Sequence, residues 1–253
     1  MLQTSLFPLF DAHPQRALKV LIGCEQSGVV RDAFNALGHD AWSCDLLPAE
    51  RPSNRHITGD VRDVMMQDDW DILAVMHPPC TRLCNSGVRW LTTPPTNPPA
   101  DCTPDEAAAW PTLSHEDRLA MIWRHLDAGA ALFSDVWNVP HIPMIAVENP
   151  VMHPHAKERI RNFQPAAQSV QPWQFGTDEH GPDNEKKRTC LWLRGLPKLD
   201  RTGTLDGTTA RDSVHKASPG KNRWKERSRF FPGVAQAMAL QWGGAAEAHQ
   251  LAA

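Results

Sequence analysis

The sequence predicts an α/β domain with a doubly wound, mostly parallel sheet. Three observations carry this. Short apolar runs rich in β-branched residues recur along the first 150 residues. Segments of helical periodicity lie between them. The candidate functional motifs fall at the ends of the apolar runs, where open parallel sheets bind their ligands. The 253 residues suffice for one large domain with a full core.

The elements follow in order. "ALKVLIGC" (17–24) is a buried strand. "GVVRDAFNALGH" (28–39) places Val29, Ala33, Phe34 and Leu37 on one helical face, with Gly38 as a stop. "DAWSCDLL" (40–47) is the second strand and "HITGDVRDV" (56–64) a third that leads into a turn. "WDILAVMHPPC" (70–80) is the fourth. The stretch 93–113, rich in proline, reads as an extended surface loop. "HEDRLAMIWRHLDAGAALFSDVW" (115–137) is a long helix capped by Ser114, and "PMIAVENP" (143–150) is the fifth strand. Residues 202–229 are expected to hold little regular structure. "FPGVAQAMALQWG" forms a closing helix, and the final ten residues form a frayed tail.

Composition narrows the function. No run of 18 apolar residues is present to span a membrane, and the first residues lack the pattern of a signal peptide. The six cysteines are scattered, which fits reduced thiols in a cytoplasm. Residues 1–200 carry 18 Lys/Arg against 25 Asp/Glu, whereas residues 201–229 carry eight against three. A basic segment on an acidic body reads either as a face for a polyanion or as a solvated loop.

Four motifs bear chemistry. "GCEQSG" (23–28) follows the first strand; its small residues let backbone amides approach a cofactor, or simply make a tight turn. Asp45 ends the second strand, where a carboxylate commonly holds ribose hydroxyls, and Asp60 follows the third. Each alone also reads as a cap or turn residue. Together, the three strand ends describe a nucleoside-cofactor site. Pro78 and Pro79 stiffen the exit of the fourth strand and hold Cys80 in a defined place. Such a thiol is either a positioned nucleophile or a structural cysteine. Cys84 invites a metal, but no second cysteine pair matches it, so no metal is expected. Glu148 ends the fifth strand. Partial burial would raise its pKa into the range of a proton donor, and pairing with Arg82 or Arg89 would make it an ordinary ion pair.

The order of glycine-containing turn, two aspartates, Pro-Pro-Cys and Glu-Asn resembles the DNA cytosine-5 methyltransferases, and among them the short phage-type members. "VRDAFNALGHDAWSCDLLP", "HPPCTRLCNSGVRWL", "VENPVMH", "QPWQFG", "CLWLRGLP" and "RFFPGVAQAMALQWG" carry the likeness across most of residues 18–243. The resemblance implies a sheet of the S-adenosylmethionine-dependent methyltransferase type. It implies a catalytic domain over 17–195, a short basic target-recognition region over 196–229 and a closing helix over 230–243. Cys80 would add to C6 of cytosine. Glu148 would engage the N3 edge, with Asn149, Pro79 and Pro150 shaping the pocket. Gly23, Ser27, Gly28, Asp45, Asp60 and Pro78 would hold S-adenosylmethionine. Addition of the thiolate would make C5 attack the sulfonium methyl, and loss of the C5 proton and of the thiolate would release product. The target base would be flipped out of duplex DNA. Lys186 and Arg188 stand as remnants of a basic motif, and Thr81 replaces the Gln that usually follows the cysteine. Arg223, Lys225 and Arg227 would face DNA phosphates. A bacterial host cytoplasm is the implied compartment. Two alternatives stay open: the same chemistry on a free cytidine nucleotide or RNA, and an inactive nucleic-acid-binding relative.

Overall fold

The structure, a computed structural model, describes residues 16–216, 228 and 230–250. Seven strands form one sheet in the order β3-β2-β1-β4-β5-β7-β6. They are β1 (Lys19–Gly23), β2 (Asp40–Asp45), β3 (His56–Thr58), β4 (Ile72–Val75), β5 (Met144–Asn149), β6 (Gln168–Val170) and β7 (Thr189–Arg194). The first five pair in parallel, and β7 runs antiparallel to both β5 and β6. The sheet is therefore mixed at one edge. The central strands are buried on both faces, which is why they read as unbroken apolar runs.

The helices are α1 (Val29–Ala36), α2 (Val61–Val64), α3 (Pro104–Ala109), α4 (His115–Trp137), α5 (Pro154–Arg159), α6 (Ser213–Lys216) and α7 (Pro232–Gln250). Alternation along β4 and β5 sends side chains into two cores. Leu73, Val75, Ile145 and Val147 pack with Ile122, Leu126 and Phe133 of α4. Ile72, Ala74, Met144 and Ala146 pack with Phe34 of α1 and Met238 and Trp242 of α7. Ser114 caps α4 as expected, accepting from the Asp117 N–H at 3.1 Å.

Three expectations change. Residues 93–113 are not an extended loop. Thr103 and Glu106 form a capping box at the start of α3, with Pro104 in the first turn, and Trp110 is fully buried with its indole N–H donating to the Thr96 carbonyl at 3.2 Å. Local capping and one large apolar side chain fold a segment whose prolines suggested extension. The tail continues α7 to Gln250, since its alanines favour helix. The third strand is only three residues long, because Asp60 caps α2 by accepting from the Arg62 N–H at 2.9 Å. Residues 201–216 do hold little regular structure, apart from α6. They pack on the body all the same, with Leu205 and Ala210 buried.

Trp110→Ala is expected to destabilise the protein by about 3 kcal/mol or more, the usual cost of emptying a buried tryptophan site. Urea unfolding measures it; a loss under about 1 kcal/mol would mean that the insert adds nothing to the core.

Candidate active site

The sheet reverses its winding between β1 and β4, so a crevice opens at their carboxyl ends. A cleft of about 520 Å³ lies there, the size of a small-molecule site. Ser27, Asp45 and Asp60 line it, as do Pro79 and Thr81 on either side of Cys80. Gly23, Gly28, Pro78, Cys80, Glu148 and Asn149 are not among the described residues that line it. A Cβ on Gly23 would lie 2.5 Å from Val61 of α2, so that glycine serves the packing of the turn. Gly28 holds φ at +74°, which side-chain-bearing residues rarely adopt. Cys24 holds φ at +54° without that freedom, and its thiol lines the cleft. Burial first, then Asp45, pushes this thiol far up, so it stays protonated.

Glu25, which the sequence reading passed over, decides what the turn can bind. Its side chain is fully buried at the start of α1. It accepts from the Val30 N–H at 2.8 Å, the Ser27 hydroxyl at 3.0 Å and the Arg31 N–H at 3.4 Å. The amides that would cradle a pyrophosphate in a dinucleotide site are thus already filled by a carboxyl group. The cleft suits a cofactor without phosphates. Asp45 is half-buried, and burial raises its pKa. The Asp60 carboxylate is held low by its hydrogen bonds to the Arg62 guanidinium, the two side chains pairing at the rim of the cleft.

The parallel register Val75↔Val147 sets Glu148 level with the exit of β4. Cys80 is half-buried at the head of a turn, its carbonyl accepting from Leu83 and Cys84. The loop after Cys80 is laced to the loop after Asn149. The Asn85 N–H donates to Val151 at 3.0 Å, the His153 N–H donates to Leu83 at 3.2 Å, and Cys84 bridges Met152. His153, almost fully buried, donates from Nε2 to the Arg82 carbonyl at 2.7 Å and accepts at Nδ1 from Ala156 N–H. Gly129 of α4 backs the same loop; a Cβ there would come within 3.1 Å of the Pro79 carbonyl.

Glu148 is buried, and burial pushes its carboxyl up to about 7. Neither arginine weighed as its partner reaches it. Arg82 is held by Asp101 through two hydrogen bonds of 2.7 Å, and Arg89 stacks on Trp90. The neighbours are His77, whose Nδ1 lies 3.9 Å away, and the positive charge of Lys187, which partly offsets the rise. His77 is held well below its ordinary value by burial and by Lys187, so it is neutral. Its ring packs edge-on against Phe230. His77 Nε2 and Asn149 Oδ1 are buried with no hydrogen-bond partner among the described residues. An unfilled nitrogen on His77, the neighbour of this protonatable carboxyl, is what a polar ligand edge would satisfy.

Lys186 and Arg188 are exposed, and Arg188 donates to Ser169 at 3.0 Å; the residue turned toward Glu148 is Lys187 between them. Alternation about Thr189 at the start of β7 is the signal that would have found it. Pro150 is half-buried next to Asn149. Arg223, Lys225 and Arg227 lie outside the described residues, while Ser228, just after them, lines the cleft.

No protein-family model matches the chain, and a search of curated proteins returns no significant match. No described helix is long and apolar enough to cross a membrane.

A carboxyl whose folded pKa exceeds its unfolded one favours folding when protonated. Glu148 should stabilise the fold below about pH 4.5 and lose that advantage as the pH rises toward about 7. The stability difference between wild type and Glu148→Gln should fall over that window by up to about 3 kcal/mol, measured by denaturant unfolding at a series of pH values. A flat difference would remove the raised acidity constant.

Proposed function

We propose that this chain is an S-adenosylmethionine-dependent methyltransferase that acts on C5 of cytosine in DNA through a covalent adduct at Cys80. The observation that carries the reading is the pair at the ends of β4 and β5. Cys80 follows two prolines in the loop after β4, and the neighbouring β5 carries a buried carboxyl raised to about 7. The α/β sheet with its crevice at β1 and β4 is compatible with a methyltransferase of this type.

The residues present fit the cofactor. Glu25 closes the helix start to phosphates, which disfavours a dinucleotide and leaves room for an adenosine sulfonium. Asp45 would take the ribose hydroxyls, Asp60 and Ser27 the polar edges, and Cys24 would lie beside them. When bound, S-adenosylmethionine supplies an electrophilic methyl group.

The chain's own side chains do the rest. The Cys80 thiolate adds to C6 of the base. The Glu148 carboxyl delivers its proton to N3, so the ring does not carry the added negative charge. Asn149 Oδ1 and His77 Nε2 offer hydrogen-bond partners to the edge of the base. Lys187 keeps positive charge beside Glu148 once that carboxyl has given up its proton. After methylation, loss of the C5 proton to solvent and expulsion of the Cys80 thiolate restore the ring, and the N3 proton returns to Glu148.

DNA is the substrate favoured by the basic balance of residues 201–229 and by the position of Ser228 at the cleft. A second reading, a free cytidine nucleotide, is favoured by the packing of residues 201–216 onto the body, which leaves a small surface for reading a target.

Cys80→Ser should abolish methyl transfer while retaining S-adenosylhomocysteine binding by calorimetry, whereas Cys84→Ser should keep most activity. Glu148→Gln should slow turnover by about 10²- to 10⁴-fold, the usual cost of a positioned acid. Essential Cys84 with dispensable Cys80 would sink the assignment. Transfer to duplex DNA should weaken steeply with salt, and replacing Arg223, Lys225 and Arg227 by Ala should flatten that dependence by up to about three units of slope. Salt-insensitive transfer to dCMP alone would replace DNA as substrate and leave the chemistry in place.

A further inference from the structure

A second cluster lies where the insert meets α4, away from Cys80 and Glu148. The Cys102 Sγ, a carboxylate oxygen of Glu106 and a ring nitrogen of His125 lie within 4.8 Å of one another. These are three residue types that ligate zinc, brought together from a loop, from α3 and from α4. We propose that Cys102, Glu106 and His125 bind a divalent cation of the zinc class and thereby clamp the insert to α4.

The orientation of His125 supports the assignment. Its Nε2 faces Glu106, 3.0 and 3.1 Å from the two oxygens. Its Nδ1 lies 3.4 Å from Asp101 Oδ2, though without a hydrogen bond to any described residue. A ligating histidine commonly has its second ring nitrogen turned to a carboxylate, which fixes the ring and raises its basicity. Asp101 is itself fixed by two hydrogen bonds of 2.7 Å from the buried Arg82, so the supporting group is built in before any ion arrives.

Charge points the same way. Arg82 neutralises Asp101, which leaves Glu106 and the Cys102 thiol to meet the charge of an ion. On binding of a divalent ion the thiol proton leaves to solvent, and thiolate plus carboxylate balance the ion. Ligand atoms around tetrahedral zinc stand roughly 3.3–3.8 Å apart, from metal–ligand distances of about 2.0–2.3 Å. The fourth position would fall to water. Asp101 and His125 also line the cleft, so the clamp would firm one wall of the cofactor site. The proposal does not depend on the chemistry of that site.

The test uses the full chain, purified without chelator or polyhistidine tag. About one zinc per chain is expected by elemental analysis. Apo-protein titrated with Co²⁺ should show a thiolate-to-cobalt charge-transfer band and the visible bands of a tetrahedral site. Cys102→Ser should lose the charge-transfer band and Cys84→Ser should keep it. Zinc removal should lower the melting midpoint of the wild type by several degrees and leave that of Cys102→Ser unmoved. The wild-type titration decides by itself should Cys102→Ser fail to fold. A wild type without the charge-transfer band overturns the proposal, as does a band that survives in folded Cys102→Ser. In either case the three side chains are an ion-paired cluster and no more.

Discussion

The stitching of two loops governs this molecule. Residues 82–85 follow Cys80, residues 151–153 follow Glu148, and backbone hydrogen bonds run directly between them. His153 holds the junction from within, one ring nitrogen donating to Arg82 and the other accepting from the start of α5. A parallel sheet fixes where strands end but not where the following loops go. Here the second task falls to the cross-loop bonds. The thiol and the carboxyl share a frame because their loops do.

Arg82 extends that frame outward. Its carbonyl takes the bond from His153, while its guanidinium enters the pair with Asp101. One residue therefore links the loop after β4, the loop after β5 and the insert beside the cleft. A buried arginine left without its carboxylate would be costly, so each of the three parts depends on the other two. On the opposite side of the crevice Glu25 has a comparable influence. A carboxyl at a helix start normally only caps; placed at the switch point, it also occupies the amides that face the crevice.

Much of the fold was legible because the parallel strands are buried on both faces and the helices between them are amphipathic. The span of α4 and its Ser114 cap could be read directly. What escaped had physical causes. The insert folds because Trp110 finds a buried site, which no local pattern announces. Strands β6 and β7 are short, and β7 draws its register from β5 rather than from a turn signal. At the site, Cys80, Glu148, Asp45 and Asp60 stand at strand ends because sheet topology puts strand ends together. His77, His153 and Glu25 were missed because their importance lies in contacts across 71, 71 and 5 residues of chain, and only the last is local. The shift from Lys186 and Arg188 to Lys187 is a one-residue matter of strand alternation.

The position of β7 has a consequence for assembly. It enters antiparallel between β5 and β6, and among the described residues β6 bonds to no other strand. Until residue 194 has been synthesised, β5 has an open edge and β6 has nowhere to dock. The environment that burial gives Glu148 includes its cross-strand neighbour Leu191 and the stack of His77 on Phe230. Each of these comes from chain made after the acid itself. The burial of Glu148 is therefore complete only after chain made later has folded back against β5.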